Sequence, residues 1–382
     1  MLVSNRPYTL CARCVMDTSD PDIVFDELRI CNNCERAERI LTTRLPAYRD
    51  GEYRLDRIVA RIRADGVGQP YDCVVGVSGG ADSTYAAWVA KQQGLRPLAV
   101  HFDNGWNSEL AVKNIESTLR QMDIELFTYV VDWHEFRDLQ LSFLKASVPD
   151  AEIPTDHAIW AVLYKTALQF GVRHIVSGTN IATESVLPKS WTYGITDWRY
   201  IRGVHRQFGT VRLRSFPHCT LARFAWYVLA RRIKTVSLLN AVEYDREAVV
   251  ALLEREIGWR DYGGKHHESV YTRFFQAYIL PRKFGIDKRR AHFSSLIMSG
   301  QMTRAAALEE LERPIADEAL VREDLEYVAK KFGMSVPAFE ALMAEPRRSY
   351  LDYPNDDALM ERLKQGMRFA QRQGLLPRQV GM

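Results

Sequence analysis

Residues 71–90 read YDCVVGVSGGADSTYAAWVA. An apolar run, a loop of small residues and the start of a helix follow one another without a break. A strand that hands its chain to a helix in this way presents backbone N–H groups and the positive end of the helix dipole to a phosphate. Gly79 and Gly80 let the N–H groups turn inward as an anion nest. Ser78 and Ser83 add hydroxyl donors, and Asp82 either caps the helix or helps to hold a magnesium ion, Mg2+. The loop lacks the Gly-Lys-Ser/Thr ending of a Walker A site, so it is a phosphate loop of another kind.

Short apolar runs alternate with helical stretches on both sides of this loop, from residue 53 to 209. DCVVGV, PLAVHFD, ELFTYVV and HIVSGTN read as strands. Residues 82–94, 107–122 and 155–171 read as helices. The last has Thr155 and Asp156 as a cap, with Ala158, Ile159, Val162, Leu163, Ala167 and Leu168 on one face. Such alternation predicts an α/β fold with a doubly wound parallel sheet. Ligands then bind at the carboxyl ends of the strands, which singles out residues 78–83, 103–106 and 177–184.

The chain has 382 residues, 47% of them hydrophobic, enough for a large core and more than one domain. Charge is close to balanced, with 51 Lys+Arg against 48 Asp+Glu, so net charge names no partner. No secretory signal and no membrane span is expected. The most apolar stretch, TLARFAWYVLA, falls far short of the roughly 20 residues that cross a bilayer. Cytoplasmic localisation follows as an expectation.

Four of the six cysteines form two pairs, Cys11-x-x-Cys14 and Cys31-x-x-Cys34. Paired cysteines at this spacing predict a tetrahedral zinc site. With all four ligands cysteine and no open position, the Zn2+ is read as structural. A segment as short as 1–45 is expected to need it in order to fold. Cys73 lies inside an apolar run and reads as core; Cys219 stands alone.

The SGGADS loop resembles the SGGxDS loop of the N-type ATP pyrophosphatases, the PP-loop family. That resemblance implies ATP as cofactor and cleavage between its α and β phosphates. AMP is placed on a carbonyl oxygen of the substrate and is then displaced by a nitrogen or sulfur nucleophile. Ser78, Gly79, Gly80, Asp82 and Ser83 would hold pyrophosphate. Asp103 would lie near the adenosine, and Gly178, Thr179 and Asn180 would border the reacting end. CARCVMDTSDP…CNNC, VSGGADS and YGGKHHESVYTRFFQAYILPRKFGIDKRRAHFSSLI together are similar to the N-acetyl sugar amidotransferases of bacterial O-antigen and related surface-sugar pathways. The resemblance implies conversion of an acetamido to an acetamidino group on a nucleotide-linked sugar. Ammonia would come from a separate glutaminase subunit. No Cys-His glutaminase constellation is recognisable in the chain itself.

Three domains are expected: a zinc ribbon over 1–45, the PP-loop ATPase domain over 46–215, and a mostly helical region over 216–382. Asp82, Lys265, Glu268 and Arg273 are the candidate catalytic residues, although Glu268 and Arg273 would also pair on a helix. Nine Lys/Arg and no acid fall within 199–234. This segment is either a solvated face, a site for a sugar diphosphate, a docking face or an RNA face. Lys288, Arg289 and Arg290 either close over phosphates or lie on the surface. The competing readings are a tRNA-modifying PP-loop enzyme of thiolase or lysidine-synthetase type, and a non-catalytic nucleotide-binding scaffold. Nucleic acid is the less favoured partner, because the paired cysteines are committed to zinc.

Overall fold

The computed structural model describes residues 7–263 and 267–372. Five parallel strands form one sheet: β1 Cys73–Gly76, β2 Pro97–Asp103, β3 Glu125–Val130, β4 His174–Ser177 and β5 Lys234–Ser237. Their order across the sheet is β3-β2-β1-β4-β5, so the chain winds outward from β1 to one edge and then returns to β1's other side. The point of reversal lies between β1 and β4, where a doubly wound sheet opens a crevice for ligand.

The central strands β1, β2 and β4 bury both faces, as the interior of a parallel sheet requires. Val74, Leu98 and Ile175 join one core, with the helices Trp133–Ala146 and Ile153–Gln169, much of the C-terminal region and the cysteine knuckles. Cys73, Val75, Ala99 and Val176 join the other, with the helices Leu55–Asp65, Ala81–Gln92, Glu109–Gln121 and Arg246–Ile257. The expected strands and their parallel arrangement are all present. Helix limits differ by a residue or two: Ala81–Gln92 starts with Gly80 as cap, and Ile153–Gln169 begins before the Thr155–Asp156 pair. Asp82 is therefore not a cap; it sits in the first turn.

The sheet does not end at residue 215. Its fifth strand comes from within the stretch expected to be helical. Lys234 begins that strand, and a lysine on an edge strand discourages further pairing. The knuckle segment is also no free-standing unit. Arg290 pairs with Asp17 at 3.0 Å, Arg304 donates to the carbonyls of Cys11 and Cys14, and Ser294 Oγ accepts from Val15 N. No described helix is long and apolar enough to cross a membrane.

Candidate active site

Val77 ends the apolar run, and Gly79 then takes φ +88°, where a side chain is strained. A Cβ there would also stand 2.9 Å from Tyr262 Oη and 3.1 Å from Ala111 O. The loop's hydroxyls are ordered around this turn: Ser78 N donates to Ser83 Oγ at 3.2 Å, Gly80 N to Ser78 Oγ at 3.3 Å, and Ser83 Oγ to Gly80 O at 3.1 Å. Gly178 comes so close to the helix terminus that a Cβ would lie 3.0 Å from Ser83 N. The loops after β1 and β4 thus meet at the point of strand reversal, and Ser78, Gly79, Gly80, Asp82, Ser83 and Gly178 share one site.

Asp103, at the end of β2, accepts a 2.8 Å bond from Gly105 N, which holds the β2 loop in place. Thr179 is exposed and its hydroxyl meets Ser237 Oγ at 2.7 Å. Asn180 is buried; its Oδ1 caps Ala182 N, and its Nδ2 has no partner in the structure.

Several residues that hold the loop come from far along the chain. Trp259 Nε1 and Tyr262 Oη both donate to Gly79 O, at 2.8 and 2.9 Å. Asn114 Nδ2 supports them through Tyr262 Oη and Arg260 O. Tyr244 donates to Asp82 Oδ1, and burial together with that carboxylate raises the Tyr244 phenol. Sequence reasoning passed over Trp259, Tyr262, Tyr244 and Asn114. Only the aromatic residues just before Gly263 gave a signal that was available to read.

Glu268 is brought to the loop, with Oε1 3.4 Å from Ser78 Oγ. Its backbone explains how: Ser108 N donates to Glu268 O, Val270 N donates to Trp106 O, and Asn107 bridges Ser269. The start of the C-terminal block is strapped across the loop that follows β2. Arg273 is not brought to the phosphate loop. It makes a two-pronged pair with Asp324, at 2.9 and 2.7 Å, which ties its helix to Glu318–Phe332. Lys265 lies outside the described residues. Arg289 and Arg290 do not close over phosphates: Arg289 binds Asp287 and the carbonyls of Glu310, Leu311 and Arg313, and Arg290 is held by Asp17 and Val15 O.

The basic 199–234 segment is held by two acids. Asp138 accepts from the backbone of Thr210 and Val211, and Glu135 from that of Arg214, Ser215 and Phe216. Arg199 pairs with Asp356 at 3.2 Å, while the side chains of Arg202, Arg206, Arg212 and Arg214 are exposed.

The four paired cysteines are buried, and their sulfurs lie 3.7–3.8 Å apart along three edges. A tetrahedron with Zn–S bonds of about 2.3 Å has edges of about 3.8 Å. A disulfide would need about 2.05 Å. Backbone N–H groups of Arg13, Cys14, Met16 and Cys31 point at the sulfurs, which suits thiolates. The donor set fits a structural zinc, and among the described residues it is the one cluster that could hold a metal. Neither remaining cysteine is a reactive thiol. Burial pushes the Cys73 thiol up, and burial pushes that of Cys219 up to about 11. His157 lies beside Cys219, but its Nε2 accepts the backbone N–H and not the thiol.

Residues 72–184 match the model of the queuosine biosynthesis protein QueC, and residues 268–367 match that of the C-terminal domain of WbpG-like LPS biosynthesis proteins. This chain is a PP-loop protein with a WbpG-like C-terminal domain. The two matches support the sugar-amidotransferase branch of the PP-loop ATPases that the motifs resemble, and with it an ATP-dependent enzyme of the ligase type. The WbpG-like match starts at Glu268, the residue strapped against the phosphate loop. No curated protein matches this PP-loop protein. Similar solved structures include a predicted tRNA methyltransferase subunit from Methanocaldococcus jannaschii, at 15% identity over 47% of this chain and 74% of that one, TM-score 0.28. The glutamine-dependent NAD+ synthetase of Acinetobacter baumannii, with ADP, shows 14% identity over 82% of this chain and 47% of its own, TM-score 0.32. The NMN synthetase of Francisella tularensis shows 12% identity over 80% and 97%, TM-score 0.29. Scores this low carry no weight for function.

Proposed function

We propose that the protein is an AMP-forming N-acetyl sugar amidotransferase acting in bacterial surface-polysaccharide (O-antigen) biosynthesis. The acetamido oxygen of a nucleotide-linked sugar attacks the α-phosphorus of ATP, and pyrophosphate leaves from the nest of Ser78, Gly79, Gly80 and Ser83. Adenylation turns a poor leaving group into AMP, and ammonia then replaces it to give the acetamidine. Asp82 would hold the Mg2+ that offsets the phosphate charge. Asp103 would face the adenosine; Gly178, Thr179 and Asn180 would border the reacting carbon, with Glu268 and Lys265 completing the site. Arg273 takes a supporting part through Asp324.

The observation that carries this reading is the strap at Glu268. It sets the first residue of the WbpG-like segment beside the phosphate loop, which supports a site that the sugar-branch segment and the ATP loop share. The tRNA-thiolation alternative lacks support, since Cys73 and Cys219 are buried and their thiols are raised. The same state of Cys219 favours a separate glutaminase as the ammonia source.

The test is incubation with ATP, ammonium and a panel of nucleotide-linked N-acetyl sugars, followed by mass spectrometry. A product in which NH has replaced O, formed together with AMP and pyrophosphate, supports the proposal. Release of ADP and phosphate would overturn it.

A further inference from the structure

A second group of charges lies on the same edge of the sheet. Asp150 and Glu152 are 5% and 8% exposed. They precede the helix Ile153–Gln169, and Asp156 stands in its first turn. This turn sits over the end of β2, where Asn104 Nδ2 reaches Thr155 Oγ1 at 3.5 Å. Lys288 faces all three carboxylates and interacts with each, yet no ion pair within 4.0 Å forms between them. Glu152 also feels the charge of Glu268, whose Oε1 lies 3.4 Å from Ser78 Oγ, so the cluster is within electrostatic reach of the phosphate loop. Thr272 donates to Glu152, and its neighbour Tyr271 is 1% exposed with a hydroxyl that has no partner. The charges of Glu152 and Asp150 act on that phenol, which places it against the cluster. The Tyr271 ring is stacked on Trp106 at 5.0 Å, so the hydroxyl cannot simply swing out to water.

Three carboxyl groups and one ammonium thus gather beside a site that is to receive a small nitrogen nucleophile. The carboxylates are too widely spaced to appear as a metal cluster among the described residues. Burial pushes Glu152 up to about 7 and Asp156 up to about 8, the range in which a carboxylate accepts and releases protons near neutrality.

We infer that this cluster binds ammonium, and that Glu152 and Asp156 are the bases that convert it to the attacking amine. The inference rests on the amidotransferase reading. One carboxylate takes a proton from NH4+: an N–H bond breaks, an O–H bond forms, and the lone pair of NH3 makes the new C–N bond. The second carboxylate takes a proton from the ammonio adduct. AMP then leaves with the electrons of the C–O bond, and the product is an amidinium. Two protons leave nitrogen and two carboxylates accept them. Lys288 holds the carboxylates in place, and the Tyr271 hydroxyl is a further contact for the cation.

The experiment compares Glu152→Gln, Asp156→Asn and Tyr271→Phe with the intact chain, using UDP-linked N-acetylhexosamines. Three rates are read: sugar-dependent exchange of labelled pyrophosphate into ATP, AMP formation with ammonium across pH, and AMP formation with hydroxylamine, which is neutral at neutral pH. The first two variants are expected to keep exchange and hydroxylamine turnover within about threefold, since hydroxylamine arrives unprotonated and its adduct, far more acidic than an ammonio adduct, loses its proton to water. They should lose ammonium turnover by about 10²-fold or more, with the pH profile displaced upward. Tyr271→Phe, which leaves the fold's packing in place, should raise the ammonium KM by about 3- to 10-fold. An unchanged ammonium KM and pH profile, or a parallel loss of hydroxylamine turnover, overturns the inference while the amidotransferase reading stands. No sugar-dependent exchange in the intact chain overturns both.

Discussion

Trp259 Nε1 donates a 2.8 Å hydrogen bond to the carbonyl of Gly79, across 180 residues of sequence. Tyr262 donates to the same oxygen. Two aromatic donors on one acceptor fix the Gly79–Gly80 peptide within the loop after β1. The phosphate loop is therefore shaped from outside as well as by its own glycines.

Substituting Trp259→Phe keeps the ring in the core but removes the donor. A net hydrogen bond is worth about 1 kcal/mol, so the KM for ATP should rise roughly fivefold. Tyr262→Phe should act similarly. Because the two share an acceptor, the double variant should lose more than the sum of the single effects. Pyrophosphate exchange kinetics on the three variants measure this.

Gly178→Ala adds a Cβ 3.0 Å from the Ser83 amide and Cα. Backbone lies on that side, so the β4 loop must move away from the helix terminus. ATP affinity should fall by about tenfold or more, with a stability loss of only about 1 kcal/mol. Calorimetric titration with a non-hydrolysable ATP analogue, beside a thermal melt, separates the two effects.

One zinc per chain is expected on metal analysis. Arg290 and Arg304 reach from the C-terminal helices to Asp17 and to the carbonyls of Cys11 and Cys14. Chelation should therefore loosen residues 289–312 together with the knuckles. Hydrogen exchange should rise in both segments while β1 and β2 stay protected. Exchange confined to residues 7–45 would count against the coupling.

The Arg273–Asp324 pair is 17% and 5% exposed by side chain. Arg273→Lys loses the two-pronged geometry and should destabilise the fold by about 2–3 kcal/mol. Pyrophosphate exchange per folded molecule should hardly change. A kcat loss of 10²-fold at unchanged stability would instead place Arg273 in the chemistry.

Burial raises Asp156 to about 8 in the folded chain, above its ordinary value of 3.8. Between these values the folded state binds more protons than the unfolded state, so stability falls as pH rises. Asp156→Asn imitates the protonated form. It should leave the melting temperature unchanged at pH 4 and raise it at pH 9, by the equivalent of about 1–2 kcal/mol of stability after allowance for partial exposure. A melt at each pH, for the variant and the intact chain, reads the sign directly.

The alternation of valine-rich runs with helices determined the parallel α/β sheet, because strand and helix periodicity are local properties of the chain. The SGGADS loop determined the turn after β1 and its ring of hydroxyls, because the positive φ of Gly79 and the hydroxyls of Ser78 and Ser83 lie within six residues. The spacing of Cys11, Cys14, Cys31 and Cys34 determined the metal knuckles in the same way. Only tertiary structure decided the rest. β5, Lys-Thr-Val-Ser, lies at the sheet edge with no residue fully buried, so it carries no apolar run to read. Glu268 and Arg273, five residues apart on one short segment, diverge to Ser78 and to Asp324. Asp150, Glu152, Asp156 and Lys288 become one cluster only when the C-terminal block folds back over the sheet. Charges this far apart in sequence interact through space, and the surroundings that set their affinity for protons exist only once the chain has folded.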